Sequence, residues 1–82
     1  MFALNVTKTA PATASELQKI VGRNTRRLRL ARGFSRRDLA QASGLSRGYV
    51  GQIENGRANL RATTLGAIAD ALGVAPADLL TL

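Results

Sequence analysis

Four glycines, Gly33, Gly44, Gly56 and Gly73, cut the chain at the ends of apolar patterns with helical period, and the patterns open on residues suited to starting a helix. Ser15-x-x-Gln18 has the capping-box form that satisfies orphan N–H groups, and Leu17, Ile20, Val21, Leu28 and Ala31 then share one face. This predicts a first helix over about 15–32. Ser35-x-x-Asp38 opens a short second helix with Leu39 and Ala40 inward, and Ser46 caps a third with Val50 and Ile53 inward. Leu65, Ile68, Ala69 and Leu72 repeat at i, i+3, i+4, i+7 ahead of Gly73. Pro76 suits the first position of a last helix carrying Leu79, Leu80 and Leu82. The expected fold is all-α: a compact bundle of five short helices with no strand in the core.

With 82 residues, 45% of them hydrophobic, the chain has material for one modest core and none for an attached sensor lobe. Residues 15–82 are expected to form that domain. Residues 1–14 carry Pro11, one charge at Lys8 and no helical period, and are expected to be a flexible arm. Phe2, Leu4 and Val6 alternate with Ala3 and Asn5, which leaves open a short strand paired with a partner chain. No apolar run approaches the roughly 18 residues that span a bilayer, and residues 1–6 lack the basic start and long apolar stretch of a signal peptide. The expected location is cytoplasmic, with no membrane partner.

Cysteine and histidine are both absent, which removes disulfides, thiolate or imidazole metal sites and the usual nucleophile–base pairs. The acids Glu16, Asp38, Glu54, Asp70 and Asp78 show no paired-carboxylate spacing. No metal, cofactor or catalytic residue is expected, and an enzyme is the least favoured class.

The net charge of +7 is unevenly placed. Between Arg23 and Arg61 ten arginines face only Asp38 and Glu54, a local +8, while the remainder sums to −1. Arginine forks onto phosphate oxygens, so a polyanion is the first partner to consider. A solvated basic face is the plainer reading. A membrane-surface helix is disfavoured because the basic segment also carries a capped, core-facing stripe.

The segment Arg36 to Asn55 joins two helices through a tight turn, with Ala40 at the crossing, Gly44 in the turn, and Leu39, Leu45, Val50 and Ile53 aimed inward. This is a helix-turn-helix signature. An ordinary αα-hairpin needs the same small and apolar residues, and the arginine density around this one favours DNA.

At these residues the chain resembles the lambda-repressor/Cro-like, or Xre-type, helix-turn-helix regulators. The resemblance runs from about Val21 to Leu80 through Gly33-Phe34-Ser35, Asp38-Leu39-Ala40, Gly44-Leu45-Ser46, Gln52-Ile53-Glu54-Asn55-Gly56, Ile68-Ala69 and Ala71-Leu72-Gly73-Val74. It implies a five-helix DNA-binding domain whose third helix enters the major groove, acting as a homodimer on a two-fold operator. Stand-alone members include controllers of restriction–modification systems, phage repressors and antitoxin regulators. The pair Asn59-Leu60, where Asn-Pro is commoner, points to the controllers.

On this pattern the recognition helix is Ser46 to Asn55. Arg47 is the first choice for reading a base, bidentate to guanine, and Gln52 the second, suited to adenine. Gly48 falls among the base readers by family position. Gly48 and Gly51 together cost the helix on the order of 1.5–2 kcal/mol relative to alanine, which leaves open room for a close neighbour or tolerated drift. Phosphate contacts are assigned to Arg36, Ser46, Tyr49, Asn55, Arg57 and Arg61, with Asn59 either a contact or a helix cap. The resemblance makes Arg29 and Glu54 a structural ion pair. Thr25, Arg61 and Ala62 depart from the family pattern and predict a thinner core at the start of the fourth helix. The apolar tail is divided between core and dimer surface. The alternative function is an antitoxin that binds a toxin protein and autoregulates its operon; RNA polymerase is another candidate partner.

Overall fold

A computed structural model describes residues 13–82. It contains four α-helices, α1 (Ala14–Ala31), α2 (Arg36–Ser43), α3 (Arg47–Glu54) and α4 (Ala62–Leu72), followed by a 3-10 helix at Pro76–Leu80. There is no strand among the described residues. No helix among them is long and apolar enough to cross a membrane.

The start of α1 differs from the sequence expectation. Thr13, not Ser15, is the N-cap: its Oγ1 accepts from the Glu16 N–H at 3.1 Å, and Glu16 Oε1 accepts from the Thr13 N–H at 3.4 Å. Both boxes fit the sequence. The one with Glu at its third position wins because a carboxylate suits the positive helix end, and Gln18 instead donates to Asn59 Oδ1 at 2.8 Å across the fold. Thr13 and Ala14 thus belong to the helix start. The rest of the expected arm, including Phe2, Leu4 and Val6, lies outside the described residues.

The buried face of α1 keeps Ile20 and Val21 of the expected apolar stripe, with Leu28 at the core edge, but not Leu17 or Ala31. Leu17 is 47% exposed and Ala31 is exposed, whereas Ile20, Val21, Gly22, Asn24, Thr25 and Arg29 are buried. Each buried polar group on this face has its own circumstances. Asn24 Nδ2 donates to the carbonyls of Leu79 (3.0 Å) and Thr81 (2.7 Å), tying the end of the described chain to α1. The fifth element is a five-residue 3-10 helix rather than an α-helix: so short a segment closes on an i→i+3 bond, from the Asp78 N–H to the Ala75 carbonyl at 2.9 Å, and is anchored by the fully buried Leu79 and by Asp78 Oδ2, which accepts from the Ala75 N–H at 3.1 Å.

Thr25 is fully buried and its Oγ1 has no hydrogen-bond partner. Replacing it with valine, which has nearly the same shape, removes an unsatisfied hydroxyl at little packing cost. Thr25→Val is expected to stabilise the domain by about 1 kcal/mol, seen as a raised urea midpoint at constant slope.

The core is assembled from Val21 of α1, Leu39 and Ala40 of α2, Val50 and Ile53 of α3, Ala58 of the following loop, Ile68, Ala69 and Leu72 of α4, and Leu79. Leu28, Leu65 and Val74 pack at its edge. Leu80 and Leu82, expected as inward or dimer-facing, are 47% and 76% exposed, so the tail divides at Leu79. The helix α4 begins on Arg61 without a side-chain cap bond, and Ala62 is exposed. Its far end is held instead by Arg32, whose Nη1 donates to the Leu72 carbonyl at 2.8 Å while its guanidinium lies 5.0 Å from the Phe34 ring centroid.

Candidate nucleic-acid interface

Two short helices and a turn place the candidate site. Ser35 caps α2 by accepting from the Asp38 N–H at 3.0 Å, and the Ser35 N–H donates to the Asp38 carboxylate at 2.8 Å. The Ser35 N–H first and the Ser35 hydroxyl second, with the Arg37 charge as a smaller contribution, hold the Asp38 carboxyl below its ordinary value. Helix α2 ends at Gly44, which takes the left-handed conformation (φ 76°, ψ 17°), where a Cβ would be strained. The Leu45 N–H then returns to the Ala40 carbonyl at 3.1 Å, closing the turn. Ser46 starts α3, its Oγ accepting from the Tyr49 N–H at 3.1 Å.

Val50 and Ile53 are buried, which turns the opposite side of α3 outward. Arg47, Gly48, Gln52 and the C-cap Asn55 are exposed on it. Arg47 stands at the first helical position, and Gly48 has open space where a Cβ would be. Gly51 is half-buried under Arg36, whose Nη1 would lie 3.5 Å from a Cβ built there. Tyr49 is half-buried and its hydroxyl donates to the Asn59 carbonyl at 3.2 Å, steadying the loop after α3. Arg57, Asn59 and Arg61 are exposed along that loop. The helix-cap alternative for Asn59 fails, because Arg61 occupies the N-cap position of α4 and the Asn59 side chain is engaged by Gln18.

Behind this face lies a buried charge cluster. The Glu54 carboxylate, with a fully buried side chain, accepts from Arg29 Nε at 2.6 Å, Arg29 Nη2 at 3.1 Å and Arg36 Nε at 3.1 Å. Arg29 Nη1 completes the cluster by donating to the Phe34 carbonyl at 2.8 Å. One carboxylate thus joins α1, α2 and α3. Arg36, read from the sequence only as a phosphate ligand, has Nε on Glu54 and keeps 41% of its side-chain exposure. Its second job was invisible in the sequence, since nothing in the spacing of Arg36 and Glu54 marks them as neighbours. Asn24 and Arg32, also missed, leave a faint signal: Asn24 and Thr25 follow Ile20 and Val21 by one turn, putting polar residues where the stripe calls for apolar ones.

The remaining α1 surface carries Lys19, Arg23, Arg26 and Arg27 outward, and an apolar groove of about 240 Å³ lies between Leu17, Leu60, Leu65 and Leu80. Among the described residues no group of three or more acidic, histidine or cysteine side chains is placed to hold a metal ion.

A short helix, a turn on a left-handed glycine and a second helix with an exposed arginine-flanked face define a class, and the chain belongs to it: residues 26–79 match the helix-turn-helix family. Its relatives narrow the class to DNA-binding transcription regulators. The chain is similar to the uncharacterized HTH-type transcriptional regulator y4dJ of Sinorhizobium fredii, 38% identical over 66 residues that cover 80% of this chain and 86% of that one. It is also similar to the control protein C.SmaI of Serratia marcescens, 35% identical over 66 residues, covering 80% and 79%. Among solved structures, the restriction-modification controller protein C.AhdI of Aeromonas hydrophila superposes with a TM-score of 0.74 at 39% identity, over 76% of this chain and 94% of that one. The hypothetical transcription factor NHTF from Neisseria gives 0.78 at 36% identity, over 89% and 87%.

Proposed function

We propose that this regulator binds a two-fold symmetric operator as a homodimer, with α3 in the major groove. The observation that carries this reading is the outward face of α3, where Arg47, Gly48 and Gln52 are exposed and make no ion pair among the described residues, within the segment that holds the +8 charge. Arg47, in the first turn, reads guanine through O6 and N7, and Gln52, in the next turn, reads adenine. Gly48 lets the helix backbone approach the bases. Ser46, Asn55, Arg57, Asn59, Arg61 and the exposed part of Arg36 meet phosphates on either side, and Tyr49 joins them by turning its hydroxyl from the Asn59 carbonyl. The groove bordered by Leu17 and Leu80, with Leu82 beyond it, supplies apolar surface for the second copy. The controllers C.SmaI and C.AhdI among the similar proteins favour a role of that kind.

Substitutions at Arg47 and Arg57 separate reading from anchoring. Arg47→Ala is expected to weaken binding to the operator by about 1–3 kcal/mol per contacted base and relax preference at that base pair. Arg57→Gln is expected to weaken binding to all sequences alike and to lower the salt slope by about one per subunit. If the residues named here neutralise about four phosphates per subunit, they alone contribute a slope near −7 to log K against log salt for the dimer. Anisotropy titrations at several salt concentrations test this, and a nearly flat salt response contradicts the reading.

A further inference from the structure

The cations of α1 form a surface separate from the residues assigned above. Lys19, Arg23, Arg26 and Arg27 recur at i, i+4, i+7 and i+8, so they make one stripe along the outer side of the helix. The stripe lines a cleft of about 530 Å³ whose opposite wall is Asn55 and Gly56, where α3 ends. The two walls are in close register: a Cβ on Gly56 would stand 3.2 Å from the Lys19 Cα. Lys19, Arg23 and Arg26 make no ion pair among the described residues, and Arg27 donates only to the neutral Asn24 Oδ1, at 3.2 Å. Glu54 lies at the cleft but does not cancel the stripe, because its carboxylate is shared by Arg29 and Arg36.

Like charges one turn apart oppose helix formation, and no ion pair among the described residues offsets the four. A polyanion does. We infer that the α1 stripe, with Asn55 and Gly56, is a second DNA-binding surface that follows the sugar–phosphate backbone beyond the half-site read by α3. The inference rests on the DNA-binding reading proposed above. Continuity supports it: Asn55 belongs both to the outward face of α3 and to the wall of this cleft, so a backbone held at Asn55 runs directly onto the cations. Lys19 to Arg27 spans about 12 Å of helix axis, enough to face about three successive phosphates of one strand. The surface takes phosphate without reading sequence, and lengthens the footprint instead of sharpening it.

The test uses the whole chain on a 40-base-pair duplex carrying the operator at its centre. The variants are Arg23→Gln/Arg26→Gln and the triple Lys19→Gln/Arg23→Gln/Arg26→Gln, all at exposed positions. Hydroxyl-radical footprinting and a salt titration are the readouts. The expected result is that the variants keep protection over the half-sites and lose it over the flanking backbone, while the salt slope falls by about two per subunit for the double and about three for the triple. Wild-type footprints and slopes in both variants overturn the inference and leave an acidic protein as the partner for the stripe. Absence of any protection by the unmutated protein overturns the DNA-binding reading itself. Thermal melts of the variants at or above the wild-type midpoint show that any loss is not unfolding.

Discussion

Glu54→Ala is expected to cost about 3–5 kcal/mol of folding stability, because it leaves the Arg29 guanidinium buried without a counter-charge. Arg29 retains only 9% of its side-chain exposure, and its remaining partner is the Phe34 carbonyl. Arg36 loses the same partner but is 41% exposed and can turn to water, so the Arg29 charge dominates the loss. A domain of this size has a total stability toward the low end of about 5–15 kcal/mol, which places the variant near its unfolding midpoint. The double replacement Arg29→Met/Glu54→Leu is expected to be the more stable protein, since no charge is then stranded. Urea melts of the single and double variants decide it. A double mutant weaker than both singles contradicts the role given to the cluster. The consequence for DNA binding is direct, because Glu54 is the last residue of α3 and fixes that helix to α1 and α2.

Gly22→Ala and Gly48→Ala are expected to move stability in opposite directions, by about 3 kcal/mol from one another. At Gly22 the first helix crosses the end of α3 so closely that an added Cβ would lie 2.8 Å from the Glu54 carbonyl oxygen and closer still to that of Ile53. Both obstacles are backbone, so α1 has to move away and uncover Val21 and Ile53. Strain of about 3 kcal/mol, less about 1 kcal/mol of improved helix propensity, leaves a net loss near 2 kcal/mol. At Gly48 a Cβ meets nothing within 4 Å, and the same exchange gains up to about 1 kcal/mol. The stabilised Gly48→Ala protein then reports on function: if the helix backbone approaches DNA at this point, it melts later and binds its operator more weakly. A stabilised Gly48→Ala protein with unchanged operator binding would remove Gly48 from the interface.

The caps and turns were legible from local chemistry. Ser35, Gly44 and Ser46 each act where the sequence places them, because a capping hydroxyl and a left-handed glycine satisfy needs that exist within four residues of chain. Thr13 over Ser15 shows the limit of that logic: two overlapping boxes satisfied the same pattern, and a tertiary bond from Gln18 to Asn59 left only one of them in use. Leu17 and Ala31 were misplaced for a related reason. Periodicity locates a stripe, but the buried side of α1 is chosen by long-range polar partners for Asn24 and Arg29, which lie 55 and 25 residues away. The last element keeps its proline start and its inward Leu79, but five residues are too few for more than a 3-10 turn. The outward residues of α3 could be picked out in advance because their inward neighbours, Val50 and Ile53, are unambiguous. The second role of Arg36 could not, because it depends on the angle between α2 and α3.

The most direct test of the account is selection of bound sites from a random duplex library by the wild-type protein, followed by footprinting of the enriched sequence. The expected result is a two-fold symmetric site with half-sites about one helical turn apart, protected on one face of the duplex, and with a guanine contact that disappears in the Arg47→Ala protein. Recovery of no enriched sequence, with binding that varies only with salt, would contradict it.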